Sequence, residues 1–381
     1  MSEWKEYKLG DVAIFKNGKS RPTEEGTFPI YGGNGILGYT NQFNSENEVV
    51  VVGRVGAYCG SVYYENKQIW ISDNALFALP KNRFDTKFLF YFLENLNLNQ
   101  FAEGSSHPLL TQNLLNSIDV QITDDLEEQK SIASILSSLD DKIDLLHRQN
   151  QTLEALAETL FRQWFVEEAE EGWEEKQLSE LMTITSSKRI FYSEYVSYGI
   201  PFYRSKEIIE LRSSGSTNSE LFISKERFIE IKKKFDVPKG GDILLTSVGT
   251  LGVPFRVRGN DEFYFKDGNL TWFKDFKEIS SAIIYFWLLS RIGQEQIRSI
   301  TIGSTQEAIT IDGLKKLKLV LPPKDLLPKY EAEFESIHFK IESNQNQICT
   351  LTRLRDTLLP KLMSGEMRVK EFGLLYTKQY D

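Results

Sequence analysis

At 381 residues the chain is long enough for two or three domains, and with 41% hydrophobic and 26% charged residues it has the composition of an ordinary soluble protein. Its only cysteines, Cys59 and Cys349, exclude a disulfide framework and have no metal-ligand neighbours, which points to a reducing cytoplasm. A formal charge of -9 weighs against an unaided grip on nucleic-acid phosphates, although such binding depends on where charges lie more than on their sum.

The opening Met-Ser-Glu-Trp-Lys lacks the basic and then apolar pattern of an export signal, and no apolar run approaches membrane-spanning length, so neither secretion nor membrane association is expected. From there the chain states one pattern twice. Trp4-Lys5-Glu6-Tyr7-Lys8-Leu9 matches Trp173-Glu174-Glu175-Lys176-Gln177-Leu178 at a constant offset that continues to Lys19 against Lys188. At a second constant offset Gly104-Ser105-Ser106 answers Gly303-Ser304-Thr305, carrying Leu110 onto Ile309, Thr111 onto Thr310, Leu115 onto Leu314, Ile118 onto Leu317 and Val120 onto Leu319.

Ala13-Ile14-Phe15-Lys16-Asn17-Gly18-Lys19-Ser20 fits a permissive phosphate-loop pattern. A working phosphate loop opens a helix at its Gly-Lys step, whereas here Arg21-Pro22-Thr23 and an acidic stretch follow at once, and the repeat copy Met182–Arg189 keeps the lysine but loses the glycine. Tyr31-Gly32-Gly33-Asn34-Gly35-Ile36-Leu37-Gly38-Tyr39 reads as a loop in which glycine permits positive φ, or as a surface hairpin without a ligand. Glu48–Gly53 and Asp242–Thr246 read as buried strands, each followed by a glycine-bearing turn, Val55-Gly56 and Val248-Gly249.

A first long helix is predicted over roughly 126–165. Ile132, Leu136, Leu139, Ile143, Leu146, Asn150, Leu153, Ala157, Leu160 and Trp164 step by alternating fours and threes, the period of a coiled-coil seam, with Asn150 at a core position. A second helix is predicted over about 328–363. Its seam holds Phe334, Ile337, Ile341, Ile348, Leu351, Leu358 and Leu362, with Asn344 and Arg355 interrupting. The two stripes are expected to bury each other. Each helix follows its domain almost without a linker, so parallel pairing would crowd the domains, and an antiparallel pair on the order of 55 to 60 Å long is expected.

Charge is distributed unevenly. Glu167, Glu168, Glu170, Glu171, Glu174 and Glu175 gather at the junction of the halves, while Lys16, Lys19 and Arg21, and Lys232, Lys233 and Lys234, gather in the irregular regions. Signatures of independent catalysis are missing: there is no His-Glu-x-x-His pair, Gly-x-Ser-x-Gly elbow or Gly-x-Gly-x-x-Gly, and Leu321-Pro322-Pro323-Lys324 lacks both flanking features of an amino-methyltransferase motif. With only His107, His147 and His338, histidine acid–base chemistry has little to work with.

Leu160-Phe161-Arg162-Gln163-Trp164-Phe165, Leu358-Leu359-Pro360-Lys361-Leu362-Met363-Ser364-Gly365-Glu366, and Glu127-Glu128-Gln129-Lys130 through Asp140-Asp141-Lys142-Ile143 recur in order within the repeat. On these residues and the Trp-led openings, the chain resembles the DNA-specificity subunits of type I restriction-modification systems over nearly its full length. The resemblance implies an α+β protein with two similar mixed α/β target-recognition domains, separated by two long helices paired as an antiparallel coiled coil in a pseudo-two-fold repeat. The segments expected are a first recognition domain at 1–125, a spacer helix at 126–167, a second recognition domain at 168–326, a second helix at 327–366 and a tail at 367–381.

The family's division of labour implies that the chain reads a split, gapped double-stranded DNA target and is not itself an enzyme. Two modification subunits would methylate adenine with S-adenosylmethionine, and restriction subunits would use ATP and magnesium, so no cofactor is expected on this chain. A rod bearing two protein-binding domains, with no nucleic acid, is the competing reading. Recognition residues cannot be carried over by motif, so candidates come from side-chain chemistry in polar turns. In the first half they are Lys19, Arg21, Asn34, Asn41, Gln42, Arg54, Ser105, Ser106 and His107. In the second they are Lys188, Arg189, Tyr192, Arg204, Lys206, Ser247, Thr250, Ser304, Thr305 and Gln306. Arg54 leads because arginine can grip guanine through two hydrogen bonds, and its repeat counterpart is Ser247.

Overall fold

The computed structural model describes residues 4–104, 107–170, 172–303 and 307–369. Two compact units divide the chain, residues 1–142 with 351–381 and residues 143–350. The division cuts both long helices instead of falling at their ends. Each unit therefore holds one Trp-led half together with a stretch of each helix.

In the first unit Trp4–Lys8 pairs antiparallel with Asp119–Thr123, tying the two ends of the half together. A four-stranded antiparallel sheet follows the order Ala13–Asn17, Ala75–Pro80, Val49–Gly53, Val62–Glu65. The run of four valines is buried throughout, and the two-residue period of a strand explains how. Val50 and Val52 face the core that holds Phe88, Leu89 and Phe92 of the Thr86–Asn95 helix. Val49 and Val51 face a separate cluster with Tyr31, Ile69 and Ile71. That second cluster is covered by a smaller sheet in which Phe28–Gly32 pairs antiparallel with Gly35–Thr40 and parallel with Trp70–Ile71. Residues 31–39 are thus a hairpin instead of a loop: its tight turn is made at Gly33-Asn34, with Gly35 at φ +74°.

The second unit repeats this topology, with a fourth strand, Tyr195–Val196, added to the smaller sheet and a further pair, Thr301–Ile302 with Ala308–Ile309. Glu174–Gln177 pairs with Lys318–Leu321, and the main sheet runs Thr183–Thr185, Leu270–Lys274, Ile243–Thr246, Pro254–Arg256. Ile200–Tyr203 again has an antiparallel neighbour, Phe222–Ile223, and a parallel one, Tyr264–Phe265. Ser281–Leu289 takes the place of Thr86–Asn95. The halves differ most after the strand ending at Tyr203, where the helix Ser205–Ser214 stands in place of the first half's tight turn and a second helix, Lys225–Lys234, follows Phe222–Ile223.

The long helices span Leu126–Arg162 and Leu327–Met363, 37 residues each. Asp125 starts the first by accepting the free N–H groups of Glu127 and Glu128 at 3.1 and 3.3 Å. A π-helical turn, Gln163–Glu167, ends it. Pro360 is tolerated within the last turn of the second, and Gly365 at φ +73° follows that helix.

In the first unit Ile132 and Leu136 share a core with Leu358 and Leu362, Leu139 packs against it, and Arg355 donates to Asp140 at 2.9 Å. In the second, Phe161 joins Phe334, Ile337 and Ile341, with Leu153 and Leu160 packed alongside. Leu146 and Ile348 are buried, while Ile143 and Leu351 are half-buried. Asn344 pairs with Asn150, and Trp164 stacks on Tyr330 at 4.4 Å, so numbering falls on one helix as it rises on the other and the pairing is antiparallel. The fully buried amide is Asn344, not Asn150, which is half-exposed.

Candidate nucleic-acid interface

The first half brings four polar turns together at the end of the Val49–Gly53 strand. Arg54 N–H donates to Asn74 O at 3.0 Å, Leu110 N–H to Arg54 O at 2.9 Å, and Gly56 N–H to Pro108 O at 3.0 Å. The tip of the hairpin closes on the same place. A Cβ on Gly33 would lie 3.4 Å from Val55 O and 3.7 Å from Asn74 O, and Tyr63 donates its hydroxyl to Gly33 O at 3.3 Å. Thr111 then caps the helix Gln112–Ser117 through Leu114 N–H.

The second half builds the same frame from different side chains. Ser247 N–H donates to Asn269 O at 2.8 Å, and Ile309 N–H donates to Ser247 O at 3.0 Å. A bridge joins Val248 to Ala308 as one joins Val55 to Leu109. Ser205, in the position of Gly33, reaches Val248 O and Asn269 O, both at 3.4 Å. Thr310 caps the helix Ile311–Lys316 as Thr111 caps its counterpart. Asn74 and Asn269 are therefore equivalent members of the frame that residue chemistry alone did not single out. Asp73-Asn74-Ala75-Leu76 against Asp267-Gly268-Asn269-Leu270 was the available signal.

The candidate donors separate by environment. In the first half Asn34 is exposed at the hairpin tip and His107 is exposed in the following turn. Arg21 lies against the hairpin, its Nη2 2.5 Å from where a Cβ on Gly38 would stand. Lys19 is exposed beside Trp70, Asn41 donates to Glu24 at 2.8 Å, and Gln42 is exposed. Arg54 is half-exposed; its Nε is buried and has no hydrogen-bond partner among the described residues.

In the second half several candidates are already engaged. Ser247 is 3% exposed and its hydroxyl lies 2.7 Å from that of Thr271, so the structure removes it from the accessible set: it ends a strand buried on both faces. Arg204 donates to Glu207 and Glu220 at the start of the Ser205–Ser214 helix. These hydrogen bonds, Glu207 first, hold its pKa well above the ordinary arginine value. Lys206 donates to Glu220 at 3.1 Å and Arg189 to Asp267 at 2.8 Å. The Lys188 ammonium sits 5.0 Å from the Phe235 ring centroid. Tyr192, 89% exposed, and Thr250, in the Gly249 turn, remain open to solvent. Ser105, Ser106, Ser304, Thr305 and Gln306 lie outside the described residues.

The second half is also tied to the long helices by arginines. Arg256 makes two 2.8 Å hydrogen bonds to Glu335, Arg212 donates to Glu154 and Tyr285, and Arg258 donates to Gln345. A bidentate pair fixes orientation as well as distance. Among the described residues no group of His, Cys, Asp or Glu is placed to hold a metal ion, and no helix is long and apolar enough to cross a membrane. A cleft of about 510 Å³ beside Trp173 and Pro322-Pro323 involves none of the turns of the frame.

The family model for the type I restriction modification DNA specificity domain matches residues 1–155 and again 170–347. The chain is 26% identical to the type I restriction enzyme MjaIX specificity subunit of Methanocaldococcus jannaschii over 77% of this chain and 72% of that one. It is 23% identical to the MjaVIII specificity subunit of the same organism over 97% and 94%. In fold it is similar to a type I restriction-modification S subunit from M. genitalium, with a TM-score of 0.65, 20% identity, and coverage of 95% of this chain and 96% of that chain. Two matches in tandem, each spanning one Trp-led half and its frame of turns, place the chain in the type I restriction-modification DNA-specificity family.

Proposed function

We propose that this chain is the DNA-reading subunit of a type I restriction-modification complex, that each half reads one part of a split target, and that chemistry is left to its partners. One observation carries the proposal: the same backbone frame occurs twice, with different side chains at matched positions. Arg54 corresponds to Ser247 and Gly33 to Ser205, while Asn74 and Asn269 are common to both frames. A shared scaffold with divergent tips suits a protein that reads two different short sequences in the major groove. The target is then asymmetric and gapped, and the long helices set the gap. Deleting one heptad from each should change spacing without changing either half-site.

Adenine methylation from S-adenosylmethionine falls to two modification subunits, and cleavage powered by ATP with magnesium falls to restriction subunits. The acidic balance supports this division, since a chain of charge -9 would need partners to neutralise the duplex around it. The test is to co-express the chain with its modification subunit in a host lacking adenine methylation and to map methylated adenines across the genome. One split motif with a constant gap is expected. Methylation without a defined motif, from an assembled complex that binds S-adenosylmethionine, would refute the proposal.

A further inference from the structure

Among the half-exposed arginines, Arg204, Arg212, Arg227, Arg256 and Arg355 each pair with a carboxylate, and Arg258 donates to Gly215 O and Gln345 Oε1. Arg54 does neither. Its backbone is fixed on both sides: N–H donates to Asn74 O, while its carbonyl accepts from Leu110 N–H and from Cys59 Sγ at 3.1 Å. Its guanidinium has no acceptor among the described residues, even for the buried Nε. An unsatisfied buried donor is expensive, and a chain with 54 acidic residues has had ample means to neutralise it. The stem is held rigidly in a frame shared by both halves, and the charged fork is left free.

Resting on the DNA-reading function proposed above, we infer that Arg54 is a base-reading residue of the first half and that its half-site contains a guanine gripped through O6 and N7. Guanine is the base that presents two acceptors side by side on the major-groove edge, matching a guanidinium fork. Ser247, at the same place in the second half, is buried and bonded to Thr271, so the second half-site has no equivalent contact. Asn34 on the hairpin tip and the exposed His107 border the same turn and would flank the contacted base pair.

The test uses the complex with its modification subunits and duplexes carrying the mapped target. Each guanine in turn is replaced by 7-deazaguanine, which lacks the N7 acceptor. With the wild-type chain, one replacement, confined to one half-site, is expected to weaken binding by roughly 5- to 150-fold. In Arg54→Ala that replacement should cost nothing further. Arg54→Lys, which keeps charge and stem but not the fork, should lose most of the coupling while keeping the salt dependence. Binding to the unmodified second half-site reports that each variant is folded.

Three results would overturn the inference while leaving the proposed function intact. The first is that no 7-deazaguanine effect disappears in Arg54→Ala. The second is uniform weakening on every duplex with a shallower salt slope, which would make Arg54 a phosphate contact. The third is loss of modification-subunit assembly with the base preference unchanged. Absence of any sequence preference in the wild-type complex would instead defeat the function itself.

Discussion

Asn344 is fully buried between the two long helices and its Nδ2 donates to Asn150 Oδ1 at 2.8 Å, while its own Oδ1 has no partner among the described residues. The two amides therefore carry unequal burdens. Removing Asn150 alone leaves the buried side chain with only the 3.5 Å donation from Nδ2 to Gln149 Oε1, so Asn150→Leu should destabilise by about 1–3 kcal/mol. Asn344→Leu removes the buried amide and leaves Asn150 access to water, so it should stabilise. A buried seam amide also disfavours wrong registers, so that stabler variant should form mixed oligomers. Urea unfolding followed by helical circular dichroism checks the opposite signs, and light scattering checks the oligomers; equal effects from both variants would contradict the asymmetry.

His338 sits 9% exposed on the second long helix, with its ring edge-on to Tyr285 at 5.1 Å. Burial, and then the charges of Arg256, Arg258 and Arg212, push its pKa down to about 3 from an ordinary 6.5. Because the folded value is depressed, the unfolded chain binds the proton first. The contribution to stability is intact above pH 6.5 and is lost progressively as pH falls toward 3. At pH 5 the loss should be about 2 kcal/mol relative to pH 7.5. His338→Leu should remove that component from the pH dependence, which paired denaturation curves at the two pH values would measure. Identical slopes for wild type and variant would contradict it.

These helices were legible because their information is local: a seven-residue apolar period is written within one segment, and its antiparallel pairing follows from short connections. The Val49–Val52 strand was legible for a similar reason, since four β-branched residues in a row suit a strand covered on both faces. Trp70–Ile71 and Tyr264–Phe265 were not, because two-residue strands exist only through their parallel partners far along the chain. The inserted helices Ser205–Ser214 and Lys225–Lys234 were missed partly because Arg204, an unusual capping residue, opens the first through Glu207. Side-chain chemistry nominated Ser247 and Arg204 as free donors, but Thr271, Glu207 and Glu220 engage them across the fold. Such partners leave no local pattern in the sequence.

Gly365 follows the second long helix at φ +73°, and a Cβ there would meet the Trp4 indole 2.3 Å from Nε1. Two independent costs therefore oppose any side chain: left-handed backbone and a clash with the ring that opens the first half. Gly365→Ala should destabilise by about 2 kcal/mol or more. It should also shift Trp4 fluorescence, because the indole must move. Comparison with Gly172→Ala separates the contributions, since Gly172 also has positive φ, at +112°, but open space around its Cβ. Equal losses in the two variants would show that backbone strain alone is responsible.

The Lys225–Lys234 helix ends in three lysines, of which Lys234 pairs with Glu230, and the adjoining Phe235 ring packs under the Lys188 ammonium. Lys188, Lys232 and Lys233 are exposed and none forms an ion pair among the described residues, so this corner of the second half carries positive charge without internal neutralisation. In an assembled complex such lysines would act on phosphates through counterion release, which depends on their number and not on base sequence. Replacing all three with alanine should therefore reduce the slope of log affinity against log salt by up to about 3 and leave the methylation motif unchanged. Arg54→Ala is expected to show the converse, a relaxed position in one half-site with little change in slope. Measuring binding across a salt series for both variants, alongside their methylation motifs, separates gripping from reading. A motif altered by the lysine variant, with its salt slope intact, would place those lysines at base edges instead.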